Sequence, residues 1–515
     1  MFLPREKKRF YLLAAMSLWL VPRVAAQSIP ANQQARIQRI QERTVDLAIT
    51  PGEAPLQLSL EQLMKLYKVP GLSIAVIDDY KIVWAKAYGV TDAGSNTPVS
   101  TTTLFQAGSI SKPVAATGAL YLVQEGKLSL DEDVNLKLKT WKVPENEFTN
   151  TQKVTLRRLM SHTAGLTIHG FPGYDRDVPL PTLVQIFNGE KPANTAPIRV
   201  DTVPGTKERY SGGGITIEQQ LIMDVTGKPF PEFMRETVLQ KIGMTHSSYS
   251  QPLPADWASS TAAGTYPDGK TVHGRWHIYP EMAAAGLWTT PTDLGKFAIE
   301  IALSKHGKAN HVLSEQITNQ MLTPVMDGAA LGFFLDKDNP GQFEHNGADE
   351  GFQAILSMNS DTGQGVAIMA NSDYGITVAN FLWQSVAKEY SWNYKFIDHG
   401  PFPVLAITAK LKGAQSALQL YTEMKKSGNQ KVVESTLNEL GYLMLSSGQV
   451  QDAIAIFQRN VEEYPQSSNV YDSLGESYMN AGEKELAIAN YEKSLQLDPK
   501  NENAVKMLKK LREGK

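Results

Sequence analysis

Residues 107–116 read AGSISKPVAA, and this stretch places Lys112 three positions after Ser109. Residues i and i+3 share one face of a helix, so a helix that begins at the serine would bring the two side chains together. Pro113 fits a helix start, because the amides of a first turn have no intrahelical partners and a missing N–H costs little there. The stretch therefore predicts a helix over residues 113–125 that opens beside a serine–lysine pair.

The pair has a chemical interpretation and a plain one. A serine hydroxyl is a poor nucleophile, and a desolvated lysine can serve as its base or can hold another group deprotonated. The free N–H groups of a helix start would also stabilise a developing oxyanion. Taken alone, however, the pattern S-x-x-K is more typical of a solvated first turn with a surface lysine. The rest of the sequence has to decide between the two.

The N-terminus has the pattern of an export signal. Basic residues at positions 5–9 precede an apolar run at 10–21, and small residues follow at positions 24–26. This pattern predicts a signal peptide over residues 1–26 that is cleaved before Gln27. The run of about twelve residues is shorter than the roughly twenty of a membrane-spanning helix, which favours cleavage over a retained anchor. We expect an exported protein, periplasmic or extracellular, with no stable membrane span.

Composition excludes several function classes. The chain has 515 residues, enough for two or three domains, and its 42% hydrophobic and 20% charged residues are typical of globular proteins. Removal of the signal takes away five basic residues and one acidic residue, so the formal net charge falls from −3 to −7. Such a surface predicts no binding of nucleic acid or anionic lipid. The absence of cysteine excludes disulfides, thiolate metal sites and a cysteine nucleophile.

The last hundred residues contain an internal repeat. Residues of like type recur 34 positions apart: Gly441 and Gly475, Gly448 and Gly482, Ala453 and Ala487, Phe457 and Tyr491, Pro465 and Pro499. This order of small and aromatic residues resembles the tetratricopeptide repeat, an all-helical module. We predict two repeats, over 432–465 and 466–499, with a degenerate helical unit around 414–426 before them and a capping helix over 501–512 after them.

Helical and strand patterns mix in the preceding part of the chain. Residues 71–90 and 351–373 each contain two β-rich runs around a turn, and each predicts a hairpin. Helical patterns dominate between them, at 113–125, 156–161 and 216–225. The economical interpretation is an α+β domain whose antiparallel sheet comes from both ends of the domain, with a helical region inserted between.

One stretch in this part of the chain matches a known motif by chance. Residues 264–271, GTYPDGKT, match the spelling of a phosphate-binding loop. No apolar strand leads into them, no helix pattern follows, and Pro267-Asp268-Gly269 is typical of a tight turn. We predict a turn without phosphate binding.

Six ordered stretches resolve the meaning of the serine–lysine pair. They are TLFQAGSISKP (103–113), GKLSLDEDV (126–134), VTLRRLMSHTAGL (154–166), PGTKERYSGGG (204–214), AAAGLWTTPTDLGKFA (283–298) and FEHNGADEGF (343–352). Together they resemble the serine β-lactamase and penicillin-binding-protein family, in its class C-like branch of D-aminopeptidases, D,D-peptidases and esterases. The resemblance spans about residues 36–395. It implies an antiparallel sheet beside a helical region, with the active site between them.

The resemblance also implies roles for individual residues. Ser109 matches the acylated nucleophile, Lys112 its proton partner, and Tyr210 the tyrosine that shares general-base duty and protonates the leaving group. His345 stands where lactamases have lysine, within the third motif His345-Asn346-Gly347, and would face the substrate. The backbone N–H groups of Ser109 and Ala348 would form the oxyanion hole. The chemistry implies no metal and no cofactor.

Two departures from the family pattern bear on the substrate. The second motif usually ends in an asparagine that holds a substrate amide, but Gly212 has no side chain. Histidine in place of the third-motif lysine weakens the fixed cation for a β-lactam carboxylate. We therefore predict a peptidase or esterase acting on small acyl or peptide substrates. The alternatives are a β-lactam hydrolase, or an inert binding protein that acts through its repeats.

The predicted organisation is a hydrolase domain over 27–395, a linker with the degenerate helical unit over 396–431, and the repeats with their capping helix over 432–515. The repeats would bind a protein or peptide partner or would steady the domain. His162 is expected to have a structural hydrogen-bonding role. The loop over 168–181 could cover the pocket or could be a packed connector, and the sequence leaves both open.

Overall fold

A computed structural model describes residues 30–47 and 55–513. Its strands are β1 (Val45–Leu47), β2 (Leu56–Leu58), β3 (Gly71–Asp78), β4 (Lys81–Gly89), β5 (Phe105–Gln106), β6 (Trp288–Thr289), β7 (Phe334–Leu335), β8 (Gln342–Asp349), β9 (Phe352–Asn359) and β10 (Gly365–Ala370). Six of them form one antiparallel sheet in the order β4-β3-β10-β9-β8-β7. The sheet therefore combines strands from both ends of the domain, as the two hairpins predicted.

Local sequence fixes these hairpins. The turn between β3 and β4 uses Asp79 and Tyr80, both with positive φ (50° and 57°), which matches the twist of a tight antiparallel pair. Strands β3 and β10 lie at the centre of the sheet and are buried along almost their whole length. Their continuous apolar sequences follow from cover on both faces of the sheet.

Helices fill the interval between the two halves of the sheet and surround it. In the first part of the chain they are α1 (Ala31–Glu42), α2 (Leu60–Leu66), α3 (Ser111–Gln124), α4 (Leu156–Met160), α5 (Leu183–Asn188), α6 (Gly212–Thr226), α7 (Phe230–Met234), α8 (Gln240–Ile242), α9 (Ala255–Ala258), α10 (Met282–Ala285), α11 (Pro291–Lys305), α12 (Glu315–Met321) and α13 (Gly375–Glu389). Short 3₁₀ turns occur at Gly108–Ile110, Val134–Leu136 and Glu147–Thr149, and a π turn at Arg235–Leu239 joins α7 to α8. This is the α+β fold that the sequence predicted.

The sheet separates two hydrophobic cores. One core joins α3, α6 and α11 of the inserted helical region to one face of the sheet. The other core joins α1, α2 and α13 to the opposite face, and it continues without a break into the C-terminal helices. The C-terminal module thus packs on the sheet domain through shared apolar surface.

The C-terminal module is entirely helical. Its helices are α14 (Phe402–Lys412), α15 (Ala414–Lys426), α16 (Glu434–Ser446), α17 (Val450–Glu463), α18 (Ser468–Asn480), α19 (Lys484–Leu497) and α20 (Glu502–Glu513). The sequence pattern missed α14, which packs against α15 as a helical pair in the segment predicted to be mainly linker.

The repeated residues of the sequence make repeated contacts. A Cβ at Gly441 would lie 2.5 Å from the Phe457 ring, and one at Gly475 would lie 3.2 Å from the Tyr491 ring. Glycine at these points lets the two helices of a repeat approach with an aromatic ring between them. This contact explains the 34-residue spacing.

The predicted signal peptide at 1–26 lies outside the described residues. Within the described ranges, 30–47 and 55–513, no helix combines the length and apolar character that a membrane crossing requires.

Candidate active site

The serine and the lysine of the opening stretch are held by a 3₁₀ turn that runs into α3. The turn, Gly108–Ile110, carries Ser109, and the α-helix proper begins two residues later than the serine. Ser111 fixes this junction: its hydroxyl donates to the Gly108 carbonyl (2.6 Å) and accepts from the Leu287 N–H (3.0 Å). The change of helix type leaves Ser109 and Lys112 on one side of the chain.

Lys112 is a buried lysine and not a surface one. It is 2% exposed, and its Nζ donates to Ser109 Oγ (2.8 Å) and to the Ala284 carbonyl oxygen (2.8 Å). The second acceptor lies on α10, in the AAAGLW stretch, so two distant segments orient the amine. A buried amine needs such partners, because loss of hydration is otherwise costly. The alternative of a solvated surface turn is thereby wrong.

Tyr210 lies next to this amine. Lys112 Nζ is 4.9 Å from the centroid of the Tyr210 ring. The tyrosine immediately precedes Ser211, which caps α6 by accepting the Gly214 N–H at 3.0 Å and donates its hydroxyl to the Thr167 carbonyl at 2.8 Å. The structure thus brings Ser109, Lys112 and Tyr210 together from positions a hundred residues apart.

His162 supports the tyrosine. Its Nδ1 accepts the Ser211 N–H at 3.2 Å, and its ring lies 4.3 Å from the Tyr210 ring. Burial first, and then the charge of Lys112, lower the pKa of His162 well below its usual value. A neutral, hydrogen-bonded and stacked histidine has the structural place that the sequence predicted for it.

His345 occupies strand β8, opposite Leu356 of β9. Its ring lies 6.1 Å from the Tyr210 ring and 5.5 Å from the Phe334 ring, and its Nδ1 is 2.6 Å from the Asn346 carbonyl oxygen. Burial and the nearby Lys112 lower the pKa of His345 to about 3. This histidine is neutral at ordinary pH and adds no positive charge to the site.

Two glycines let strand β8 approach the serine. A Cβ at Gly347 would lie 1.9 Å from the Ala107 carbonyl oxygen, and one at Gly108, which has φ +50°, would lie 2.5 Å from the Ala348 nitrogen. No other residue fits at either point without displacing backbone. The close approach places Ser109 and Ala348 in the wall of the same cavity.

That cavity has a volume of about 430 Å³, within the range of small-molecule sites. It is lined by Ser109, His169, Tyr210, Phe334, Glu344, His345, Asn346, Gly347, Ala348, Gln353 and Ile376. The sequence predicted six of these residues, five by role and Asn346 as a member of the third motif; the other five, His169, Phe334, Glu344, Gln353 and Ile376, were given no role. His169 lies in the 168–181 loop and Glu344 in the stretch 343–352, which the sequence had singled out as segments. No sequence signal marked Phe334, Gln353 and Ile376, because their place depends on strand pairing and on the docking of α13.

The loop over 168–181 combines both of its predicted alternatives. His169 lines the cavity, while Tyr174 is buried and pairs through its backbone with Ile278. The loop also explains Gly212: a Cβ there would lie 3.1 Å from the His169 carbonyl oxygen and 3.2 Å from the Phe171 ring. The loop therefore occupies the space that a side chain at position 212 would enter.

Three buried carboxyl groups near the site were also missed. Glu218 on α6 and Glu281 before α10 are fully buried, and none of their carboxyl oxygens has a hydrogen-bond partner among the described residues. Burial raises the pKa of Glu218 to about 8, against the attraction of Lys112, and burial likewise raises the pKa of Glu281 to about 8. Burial also raises the pKa of Asp349 well above its usual value. Glu218 had one sequence signal, since Ile215, Leu221 and Ile222 lie three or four positions from it and share its helix face.

One group outside the cavity has the spacing of metal ligands. Donor atoms of Asp175, Asp177 and His273 lie within 4.8 Å of one another on the surface. Asp175 already contacts His277 Nε2 at 3.2 Å. None of these four residues lines the cavity at Ser109.

Residues 264–271, which match the spelling of a phosphate-binding loop, form a turn. Tyr266 N–H donates to the Lys270 carbonyl at 2.8 Å, and Gly269 has φ +92°. Neither a preceding long strand nor a following helix is present at residues 264–271, which are all described. The stretch lacks the strand–loop–helix context of a phosphate-binding loop.

Comparison with known proteins agrees with this site. A beta-lactamase family model matches residues 56–390, and tetratricopeptide-repeat models match residues 439–467 and 468–501. The chain belongs to the beta-lactamase family of serine hydrolases and carries C-terminal tetratricopeptide repeats. The resemblance seen in the six motifs is confirmed.

One curated relative is a "Beta-lactamase" of Pseudomonas fluorescens, 30% identical over 239 residues, which are 46% of this chain and 61% of the relative. A "Protein flp" of Staphylococcus aureus (strain N315) is 24% identical over 312 residues, 59% of this chain and 60% of the relative. The chain thus spans about three fifths of the length of these first curated relatives.

A solved structure shares the fold: an octameric penicillin-binding protein homologue from Pyrococcus abyssi. It has a TM-score of 0.55 at 23% identity, over 68% of this chain and 80% of that one.

Proposed function

We propose that this protein is an exported serine hydrolase of the peptidase or esterase type, which cleaves amide or ester bonds of small acyl or peptide substrates through an acyl-enzyme on Ser109. One observation carries the proposal: the buried Lys112 amine is hydrogen-bonded to Ser109 Oγ at 2.8 Å and lies over the Tyr210 ring. A lysine without a catalytic or structural reason is rarely buried.

The contacts support a division of roles. The Lys112 amine would stay bonded to the Ala284 carbonyl while it takes the proton of the Ser109 hydroxyl, which lies 2.8 Å from its Nζ. Ser109 Oγ would then bond to the substrate carbonyl carbon. As the carbonyl re-forms and the scissile bond breaks, Tyr210 would donate its phenolic proton to the leaving group and take the serine proton from Lys112 in exchange. A water molecule would then attack the acyl carbon and give a proton to the same pair, and that proton would return to Ser109 Oγ as the acid is released.

The backbone N–H groups of Ser109 and Ala348 would stabilise the oxyanion. Both residues line the cavity, and Gly108 and Gly347 allow their backbones to lie against each other. Each such donor is typically worth about 3 kcal/mol of transition-state stabilisation.

The electrostatics favour a peptidase or esterase over a β-lactam hydrolase. Burial and Lys112 lower the pKa of His345 to about 3, so the third motif supplies no cation for a lactam carboxylate. At Gly212, a Cβ would lie 3.1 Å from the His169 carbonyl oxygen, so the loop crowds the place of an amide side chain. Both features leave the carboxylate and amide of a β-lactam without their usual partners in this family.

A covalent trap tests the proposal. The purified chain is incubated with a fluorophosphonate and, separately, with a labelled penicillin, and its intact mass is measured. We expect a fluorophosphonate adduct that is absent in Ser109→Ala and retained in Ser129→Ala, a control at an exposed serine. An unlabelled wild type, or an adduct that persists in Ser109→Ala, would refute the acyl-enzyme.

A substrate panel tests the finer assignment. Turnover is compared among p-nitrophenyl esters, D-alanyl anilides and nitrocefin under the same conditions. We expect ester or amide turnover to exceed that of nitrocefin. Nitrocefin as the preferred substrate would support the β-lactamase alternative. Adduct formation without turnover of any substrate would favour a binding role.

A further inference from the structure

A second large cavity lies where the repeats meet the sheet domain. It has a volume of about 530 Å³. One wall comes from the sheet domain and α14, the other from α16 and α18 of the repeats; the lining residues are Tyr67, Tyr374, Thr377, Phe402, Glu439, Tyr442, Leu443, Leu445, Ser446, Glu476 and Asn480. We call this cavity the composite groove, because neither part of the chain forms it alone.

The two walls are held together by the C-terminal end of α16. The Tyr374 hydroxyl donates to the Leu443 carbonyl at 3.0 Å, and Lys68 Nζ donates to the Ser447 carbonyl at 3.1 Å. Lys410 Nζ donates to the Ser447 hydroxyl at 2.9 Å. Cations and donors suit this end of a helix, where carbonyl groups lack partners. These bonds fix the width of the composite groove.

The charged side chains that line the composite groove are acidic. Two carboxylates, Glu439 and Glu476, face it, and its lining within the described part of the chain contains no lysine, arginine or histidine. Lys68 and Lys410 are bonded to Ser447 at the joint, and the Lys410 ammonium lies 4.9 Å from the centroid of the Tyr374 ring and 5.2 Å from that of the Tyr67 ring. The aromatic rings left for a bound cation are therefore those of Tyr442 and Phe402.

The rings that flank the carboxylates are tyrosines and a phenylalanine. The Tyr442 hydroxyl donates to Glu476 at 2.9 Å. Burial first, and then the charges of Glu476 and Asp472, raise the pKa of the Tyr442 phenol. Carboxylates beside aromatic faces form a site for a lysine or arginine side chain, which can pair with the charge and lie over a ring.

The composite groove also lies beside the catalytic cavity. Ile376 lines the catalytic cavity, while Tyr374 and Thr377, its near neighbours in sequence, line the groove. The first turn of α13 is therefore the partition between the two.

We propose that the composite groove binds a peptide segment through a lysine or arginine side chain, held by Glu439 and Glu476 against the aromatic wall. Charge complementarity and the mixed origin of the walls carry the proposal. It does not depend on the chemistry at Ser109, so the binding test uses the Ser109→Ala chain, which cannot consume the probe by acylation.

The probes are fluorescein-labelled nonapeptide pools, each random except for a fixed central lysine, arginine, norleucine or glutamate. Binding is measured by fluorescence anisotropy at low salt. We expect the lysine and arginine pools to bind about tenfold more tightly than the norleucine and glutamate pools, as a charge pair with a cation–π contact implies. Equal binding of the four pools, or binding of none, would overturn the proposal.

Variants locate the site. Glu439→Gln with Glu476→Gln should weaken the lysine pool about fivefold, whereas Glu462→Gln, an exposed acid on α17, should not. Thr377→Lys adds a positive charge to the sheet-domain wall and should weaken the same pool. An unchanged affinity in the double variant excludes the carboxylates as the site. An unchanged affinity in Thr377→Lys would show that the repeats bind alone.

Discussion

The catalytic cavity and the repeats differ in the kind of side chains that they bury. The cavity gathers Ser109, Tyr210 and His345 from three distant segments, and the buried Lys112 is bonded to Ser109 at its wall. The repeats bury the same type of contact, a glycine against an aromatic ring, once every 34 residues. The cavity thus places charged and polar groups in a buried interior, whereas the repeats gain stability from one apolar contact that recurs.

The buried carboxyl groups illustrate this difference between the cavity and the repeats. Among the described residues, the fully buried acids with a raised pKa, Glu218, Glu281 and Asp349, all belong to the catalytic half. Unpaired buried carboxyls reduce stability, yet they form a polar interior around Lys112. The comparison predicts that changes in the catalytic half alter rate and pH dependence, while changes at the glycine–aromatic contacts of the repeats alter stability alone.

Removal of the lysine should have the largest effect. Lys112→Ala deletes the base proposed for Ser109, so we expect kcat for the preferred ester to fall by about 10²–10⁴-fold. Lys127→Ala, at an exposed lysine, is the matched control. The fluorophosphonate adduct, followed by mass over time, should form more slowly by a similar factor. Wild-type rates in Lys112→Ala would remove the basis for the proton transfer.

The features that the sequence could predict depend on residues that are close together in the chain. The repeats were predictable because one physical contact recurs at a fixed spacing, and the hairpins because strand and turn residues are local signals. The serine–lysine pair was also local, since i and i+3 residues share a helix face. In all three cases neighbours in sequence determine the structure.

The parts that sequence did not predict depend on contacts between distant segments. The Ala284 carbonyl that orients Lys112, the burial of Glu218 and the place of Ile376 and Gln353 in one cavity wall all need the assembled fold. Helix α14 was missed because its apolar residues pack on neighbouring helices all round and give no one-sided pattern. The structure also gives Gly212 a physical reason, the crowding by the 168–181 loop.

Glu218 provides the next test. Its pKa is 4.5 in an exposed setting and about 8 in the fold, so between these values the folded chain holds a proton that the unfolded chain has lost. Stability therefore falls as pH rises through this window. Glu218→Gln does not titrate, so its free energy of unfolding relative to wild type should rise from pH 5 to pH 8, on the order of a few kcal/mol.

Urea denaturation at the two pH values measures this difference. The control is Glu125→Gln, at an exposed acid on the surface, which should show the same offset from wild type at both pH values. A Glu218→Gln offset that does not change with pH would mean that the carboxyl is hydrated and charged in the folded protein.

The smallest expected effect lies in the repeats. Alanine is favoured over glycine in a helix by about 1 kcal/mol, so each glycine must be retained for a steric reason. In Gly441→Ala the new Cβ would lie 2.5 Å from the Phe457 ring, and we expect a net loss of about 1–3 kcal/mol of unfolding free energy. In Gly475→Ala the closest Tyr491 atom is 3.2 Å away, so the helix gain should largely offset the crowding. Circular dichroism during urea denaturation gives both values, and ester kcat should not change in either variant.

Adding Phe457→Leu to Gly441→Ala relieves the clash, so the double variant should lose less unfolding free energy than the sum of the two single changes. Strict additivity would instead place the cost of Gly441→Ala outside this contact.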